Sequence, residues 1–186
     1  MRSGCEIPPT VEVPRPALTL SGIADSFGKK QSMSVVSQIL ISKSPTDPME
    51  SVAEVRAVPG RGLEGDRYYD GRGTFSPQPQ KADFELTLME AERIEAFARE
   101  SGLEFTAGHA RRNVVTRGVD LNALVGREFR IGEVRVRGLR LCEPCNYLAK
   151  TTFPETLRGL VHKGGLRAQI LTEGTIKTGD AITETA

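Results

Sequence analysis

What most constrains this chain is how often its ordered runs are interrupted. From residue 35 onward, short β-branched or alternating runs are cut repeatedly by Gly, Pro, Asn and Asp. The run 35–41 is closed by Ser44, Pro45, Asp47 and Pro48, and residues 52–58 alternate apolar with polar as a partner strand. Residues 113–116 form a further β-branched run. Residues 129–131 and 134–137 flank Gly132 and Glu133, which predicts a hairpin whose second arm continues through Leu139 and Leu141 to Cys142. Two closing strands are expected at 166–171 and 176–182. Only two stretches predict helix. Over 87–101, Thr87 and Glu90 suggest a capping box, Ala91, Ile94, Phe97 and Ala98 share a face, and Gly102 is a stop. Residues 154–162 predict a shorter helix with Leu157, Leu160 and Val161 on its apolar side. Residues 59–67 should hold neither helix nor strand, and 70–83 read as a polar loop. Six to eight short strands with one or two flanking α-helices give a mainly β, barrel-like fold rather than a doubly wound α/β fold. Residues 1–33, broken by Pro8, Pro9, Pro14 and Pro16, predict a disordered tail ahead of one domain over 34–186.

Charge and cysteine usage exclude several functions. The 25 Lys and Arg nearly cancel the 24 Asp and Glu, leaving +1, without the basic excess that general nucleic-acid binding needs. No apolar run approaches the ~20 residues of a membrane helix. The three cysteines, Cys5, Cys142 and Cys145, are an odd number, and no secretory signal pattern precedes them. A reducing cytoplasm is the expected compartment.

Four elements could carry chemistry. Cys142-Glu143-Pro144-Cys145 places two thiols three residues apart in a Cys-poor chain. Zinc would need further ligands, for which Cys5, His109 and His162 stand at no recognised spacing. A thiol–disulfide site and a single reactive thiolate remain open beside two inert buried thiols. The glycines of 60–67, with Gly65, Asp66 and Arg67 at its end, suit an anion cradled by backbone N–H groups, or a plain turn. Arg111-Arg112-Asn113 and Gly164-Gly165-Leu166-Arg167 each set Arg at the start of a strand.

Taken in order, the runs 62–67 (Gly-Leu-Glu-Gly-Asp-Arg), 85–92, 112–126, 141–148 and 164–168 resemble the MOSC domain, the family named for the C-terminal domain of molybdenum cofactor sulfurase. The likeness runs from about 35 to 183, and is strongest to small stand-alone bacterial members. It implies a β-barrel-like fold and binding of the molybdenum cofactor, a pterin (molybdopterin) bearing a dithiolene and a phosphate. It also implies one working cysteine, as a persulfide sulfur carrier or as a ligand to the molybdenum ion. Pro144-Cys145-Asn146-Tyr147-Leu148 matches the family's Pro-Cys-x-x-Leu, so that catalytic and metal-binding role passes to Cys145, with Cys142 as an auxiliary thiol. Arg67, Arg112, Asn113 and Arg167, with Gly65 and Asp66, are the residues expected to bind the cofactor. Sulfur transfer, molybdenum-dependent reduction of N-hydroxylated compounds and non-catalytic cofactor carriage all remain open. The larger relatives carry a fused desulfurase or a further β-barrel domain. This chain shows neither, so a separate cysteine desulfurase or electron-donor protein is the expected partner, with no nucleic acid, no membrane and an open oligomeric state.

Overall fold

The computed structural model of the chain describes residues 33–185, so the expected tail lies outside the described residues save for Met33. Eleven strands and four short α-helices follow in order. The strands are β1 (Val35–Ile41), β2 (Glu50–Val52), β3 (Glu54–Val58), β4 (Gly62–Leu63), β5 (Leu86–Glu90), β6 (Val114–Arg117), β7 (Glu128–Ile131), β8 (Val134–Leu141), β9 (Leu166–Ile170), β10 (Gly174–Lys177) and β11 (Ile182–Glu184). The helices are α1 (Ala91–Ser101), α2 (Ala107–Ala110), α3 (Asn146–Thr151) and α4 (Thr156–Gly159). None is long and apolar enough to cross a membrane.

Eight strands form one sheet in the order β11-β7-β8-β9-β5-β6-β1-β2, and β10, β3 and β4 form a second. All pairings are antiparallel except β5 with β6, which α1 and α2 connect. The large sheet curls until β1 meets the segment before β11, where Val35 bridges Ala181 and Val36 N–H donates to the Asp180 carbonyl (2.9 Å). The barrel-like, mainly β expectation holds.

The curl creates two cores. Val36, Ile39, Leu88, Val114, Phe129, Leu166 and Ile176 fill the inside. Leu40, Met89, Val115, Ile94, Phe97 and Leu160 pack outside, beneath α1 and α4. In β1, β5 and β6, successive residues therefore face two apolar environments, and each strand reads as a near-continuous hydrophobic run.

That double burial explains the main departure from expectation. Residues 86–90 are strand β5, not the first turns of a helix, and α1 starts only at Ala91. Glu90 is the N-cap without a side-chain cap bond, while the Thr87 hydroxyl donates to Asn113 Oδ1 at 2.8 Å. Gly102 ends the helix as expected, in the left-handed region (φ 71°). The run 52–58 divides at Ala53, so that β2 joins the large sheet and β3 the small one. Residues 176–182 divide likewise between β10 and β11. The segment 59–67 does hold a strand, β4. In the 154–162 region only Thr156–Gly159 is helical, and Leu157 (38% exposed) and Val161 (45%) point to solvent while Leu160 is buried. Helices α2 and α3, each at most six residues, are too short to show a periodic signal.

Candidate functional site

A cleft opens where the ends of β1, β5, β6, β8 and β9 converge beside the loop 64–81. It is bounded by residues that include Arg67, Arg111, Arg112, Arg167, Cys142 and Cys145. Arginines expected from three distant loops thus share one cavity with both candidate thiols.

Each arginine is held differently. Asp66, 3% exposed, stands behind the wall, not in it. Its carboxylate accepts from Ser42 N–H (3.1 Å), Tyr68 N–H (3.0 Å), Asn113 Nδ2 (3.2 Å) and Arg67 Nη1 (3.3 Å). It therefore orients Arg67 and Asn113 and makes no wall of its own. Gly65 is likewise absent from the wall, and its φ of 83° marks it as the residue that lets the turn reach Asp66. Asn113 borders the cleft, but its amide is spent within the protein: Nδ2 also donates to the Leu40 carbonyl (3.2 Å), and Oδ1 accepts from Thr87.

Arg112 is a clasp. Its Nε, Nη1 and Nη2 donate to the carbonyls of Gly164 (2.9 Å), Ala110 (3.0 Å) and Cys142 (3.0 Å), tying three loops together. Two of those loops pass so close that a Cβ on Gly164 would stand 2.4 Å from the Cys142 carbonyl oxygen, and one on Gly165 would stand 1.9 Å from the Leu88 carbonyl oxygen of β5, so only glycine fits at either position.

Arg111 and Arg167 differ. Arg111 caps α2 with φ 54°, and its Nη atoms donate to the carbonyls of Asp47 (3.1 Å) and Pro45 (2.9 Å). Arg167 donates through Nη1 to the Asp83 carbonyl (2.9 Å) and lies 4.7 Å from the Phe84 ring centre. In both, the buried Nε–H has no hydrogen-bond partner among the described residues. Burial, then repulsion from Arg67, lowers the pKa of the Arg111 guanidinium from its ordinary value, as expected for a cation lacking a counter-charge. Burial also raises the phenol of Tyr68, which keeps that wall residue protonated. Among the described residues, Glu143 is the one carboxylate of the wall.

The two cysteines are unequal. Cys142 follows β8, is 3% exposed, donates its N–H to the Gly165 carbonyl (2.7 Å) and is clasped by Arg112. Cys145 is exposed at the N-cap of α3. Between them Glu143 is pinned by His162, through the backbone N–H (2.9 Å) and Nδ1 (2.7 Å). His109 bonds the start of α2, so neither histidine joins the thiols. Among the described residues no three His, Cys, Asp or Glu side chains are placed to hold a metal ion. A soft metal reaching Cys145 would have to bring further ligands of its own.

Sequence reasoning gave no role to Tyr68, Phe75 or Tyr147 and named Arg111 only within the element Arg111-Arg112-Asn113, yet all four are in the wall. Phe75 sits in a stretch read as a polar loop, where a lone aromatic residue was the available signal.

The donor set suits the group that the sequence resemblance implies. An oxyanion-bearing ligand would answer the two orphaned Nε–H groups, and a thiolate is the soft donor for molybdenum.

Comparisons with known proteins agree with this architecture. No curated protein matches the chain. Among solved structures, YuaD from Bacillus subtilis superposes with a TM-score of 0.67 at 16% identity, covering 81% of this chain and 94% of that one. YiiM from Geobacillus stearothermophilus gives 0.63 at 18%, covering 82% and 75%. YiiM from Escherichia coli gives 0.57 at 19%, covering 80% and 69%. These likenesses establish the fold. The family model of the MOSC domain matches residues 70–183, well over half of the chain. On that match, the chain belongs to the MOSC domain family.

Proposed function

We propose that the cleft binds the molybdenum cofactor and that the Cys145 thiolate acts on it, in sulfur transfer or in molybdenum-dependent reduction of N-hydroxylated compounds. The observation that carries this reading is the pairing, in one cavity, of two half-buried guanidinium groups, each with a buried Nε–H that has no partner among the described residues, with one exposed thiol. When bound, the cofactor would supply a metal centre able to exchange sulfur and oxygen ligands and to pass electrons. The chain's own residues do the rest. Arg111 and Arg167 offer free N–H donors to an oxyanion, with Arg67 adding charge. Arg112 and Asp66 hold the walls in place, and so reduce the ordering cost of binding. Cys145 carries sulfur or ligates the metal, while the burial of Cys142 and its clasp by Arg112 support a single working thiol. A separate cysteine desulfurase or electron-donor protein would serve it, in a reducing cytoplasm where both thiols stay free.

Expression in a host that makes the cofactor, followed by molybdenum and pterin analysis of the purified protein, tests the reading. Stoichiometric amounts of both are expected. Absence of both overturns it.

A further inference from the structure

Cys145 borders a second space. Thr74, Phe75, Cys145, Asn146, Tyr147 and Lys150 line a shallow outer chamber, broadly open to solvent. Thr74, Phe75, Cys145 and Tyr147 also belong to the wall of the inner cleft, so the thiol stands at the junction of the two. The chamber has a distinct chemistry. Phe75 is 47% exposed and meets Tyr147 edge-on at 5.6 Å between centroids. Tyr147 is itself fixed by donating its hydroxyl to the Pro45 carbonyl (2.8 Å). Lys150 follows Tyr147 by three residues on α3, one turn along the same face. Its ammonium is the single charge of the chamber wall, whose other residues carry no carboxylate.

We infer that the outer chamber binds the second reactant of Cys145, a planar aromatic molecule carrying a negative charge, with its ring on Phe75 and Tyr147 and its anion toward Lys150. The inference rests on Cys145 as the working thiol but not on the cofactor. The inner cleft, with its guanidinium wall, would hold one partner and the outer chamber would present the other to the same sulfur.

Three disulfide-type reagents test this on the full-length protein without cofactor, with modification of Cys145 followed by peptide mass spectrometry so that Cys5 and Cys142 do not contribute. Dithiobis-nitrobenzoate is aromatic and dianionic, dithiodipyridine is aromatic and neutral, and methyl methanethiosulfonate is small and neutral. With the nitrobenzoate reagent the Cys145 thiolate attacks one sulfur and the S–S bond breaks. A mixed disulfide forms, one thionitrobenzoate leaves with the electron pair, and the thiol proton goes to solvent. Relative to the rate with methyl methanethiosulfonate, Lys150→Glu should slow the anionic reagent about tenfold and spare dithiodipyridine. Phe75→Ala should slow both aromatic reagents by about three- to tenfold on the same scale. Should Phe75→Ala lower the melting temperature, Phe75→Leu, which keeps volume but not the ring, should show the same selective loss. Unchanged rate ratios in the charge and ring variants would overturn the chamber. A molybdenum-free chain with the expected ratios would overturn the cofactor reading alone.

Discussion

Two arginine-rich regions of this protein are built on opposite plans. On the outer face of β7 and β8, arginines meet carboxylates: Arg135 and Arg137 both pair with Glu128, Arg127 with Glu184, and Arg140 with Asp83. In the cleft, Arg111, Arg112 and Arg167 bond backbone carbonyls, and only Arg67 has an acid, the buried Asp66. A carbonyl orients a guanidinium without cancelling its charge. The outer face thus sets carboxylates against its arginines, with Glu128 serving two, whereas the cleft wall holds four arginines with Glu143 as its one carboxylate among the described residues. That 18 of the 25 cations are Arg is therefore no guide to which arginines matter. The partner of each one decides it.

The largest effect expected is at Cys145. Cys145→Ser should abolish sulfur transfer or metal turnover with the circular dichroism spectrum unchanged, because a hydroxyl is neither a soft ligand nor able to form a persulfide. Cys142→Ser should leave activity largely in place and instead destabilise by about 1–2 kcal/mol in denaturant unfolding, since it sets a hydroxyl in a buried position. Equal losses of activity in both would break the distinction between the two thiols.

Next comes the contrast between clasp and donor. Arg112→Ala removes three hydrogen bonds and strands three carbonyls, so it should cost at least about 3 kcal/mol of stability by chemical denaturation. Arg167→Ala should do the reverse. It should keep most of the stability and weaken cofactor binding by roughly 10- to 100-fold, with Arg167→Lys recovering only part because a point charge cannot replace a fork. At the outer face, Arg137→Ala should leave the melting temperature unchanged at physiological salt.

A buried carboxylate supplies the pH dependence. Glu90 is 4% exposed, its Oε1 accepts from Leu121 N–H (3.3 Å), and its Oε2 has no partner among the described residues. Burial raises its pKa above the usual carboxylate value, opposed by Arg93 and aided by Asp120. A raised folded pKa means that the group favours the fold at low pH and loses that contribution as pH climbs through the folded value. Glu90→Gln should therefore melt above wild type at neutral pH, and the gap should close as pH falls below the carboxylate range.

The same contrast explains what the sequence could reveal. Strands β1, β7, β8 and β9 were legible because turn residues fence them and, in the β7–β8 hairpin, one face is polar. Strand β5 was not, because Leu88 fills the inner core and Met89 the outer, so the alternation of Leu86-Thr87-Leu88 breaks at Met89, and Thr87 and Glu90 together imitate a capping box. The cleft arginines were legible as Arg beside Gly or Asn at strand starts. What could not be read was their division of labour. Whether Arg112 faces carbonyls or a ligand depends on Gly164 and Cys142, 52 and 30 residues away, which only the closed fold brings near. Asp66 shows the same limit: its motif pointed to the site, and its burial made it a support.

The most direct test of the account compares wild type with the Arg111→Ala, Arg167→Ala double variant, each purified from a cofactor-producing host and analysed for molybdenum and pterin per chain. The account predicts a stoichiometric load in wild type and a nearly empty, still folded double variant. A double variant that retains the wild-type load would contradict the claim that these unmatched guanidinium groups form the binding site.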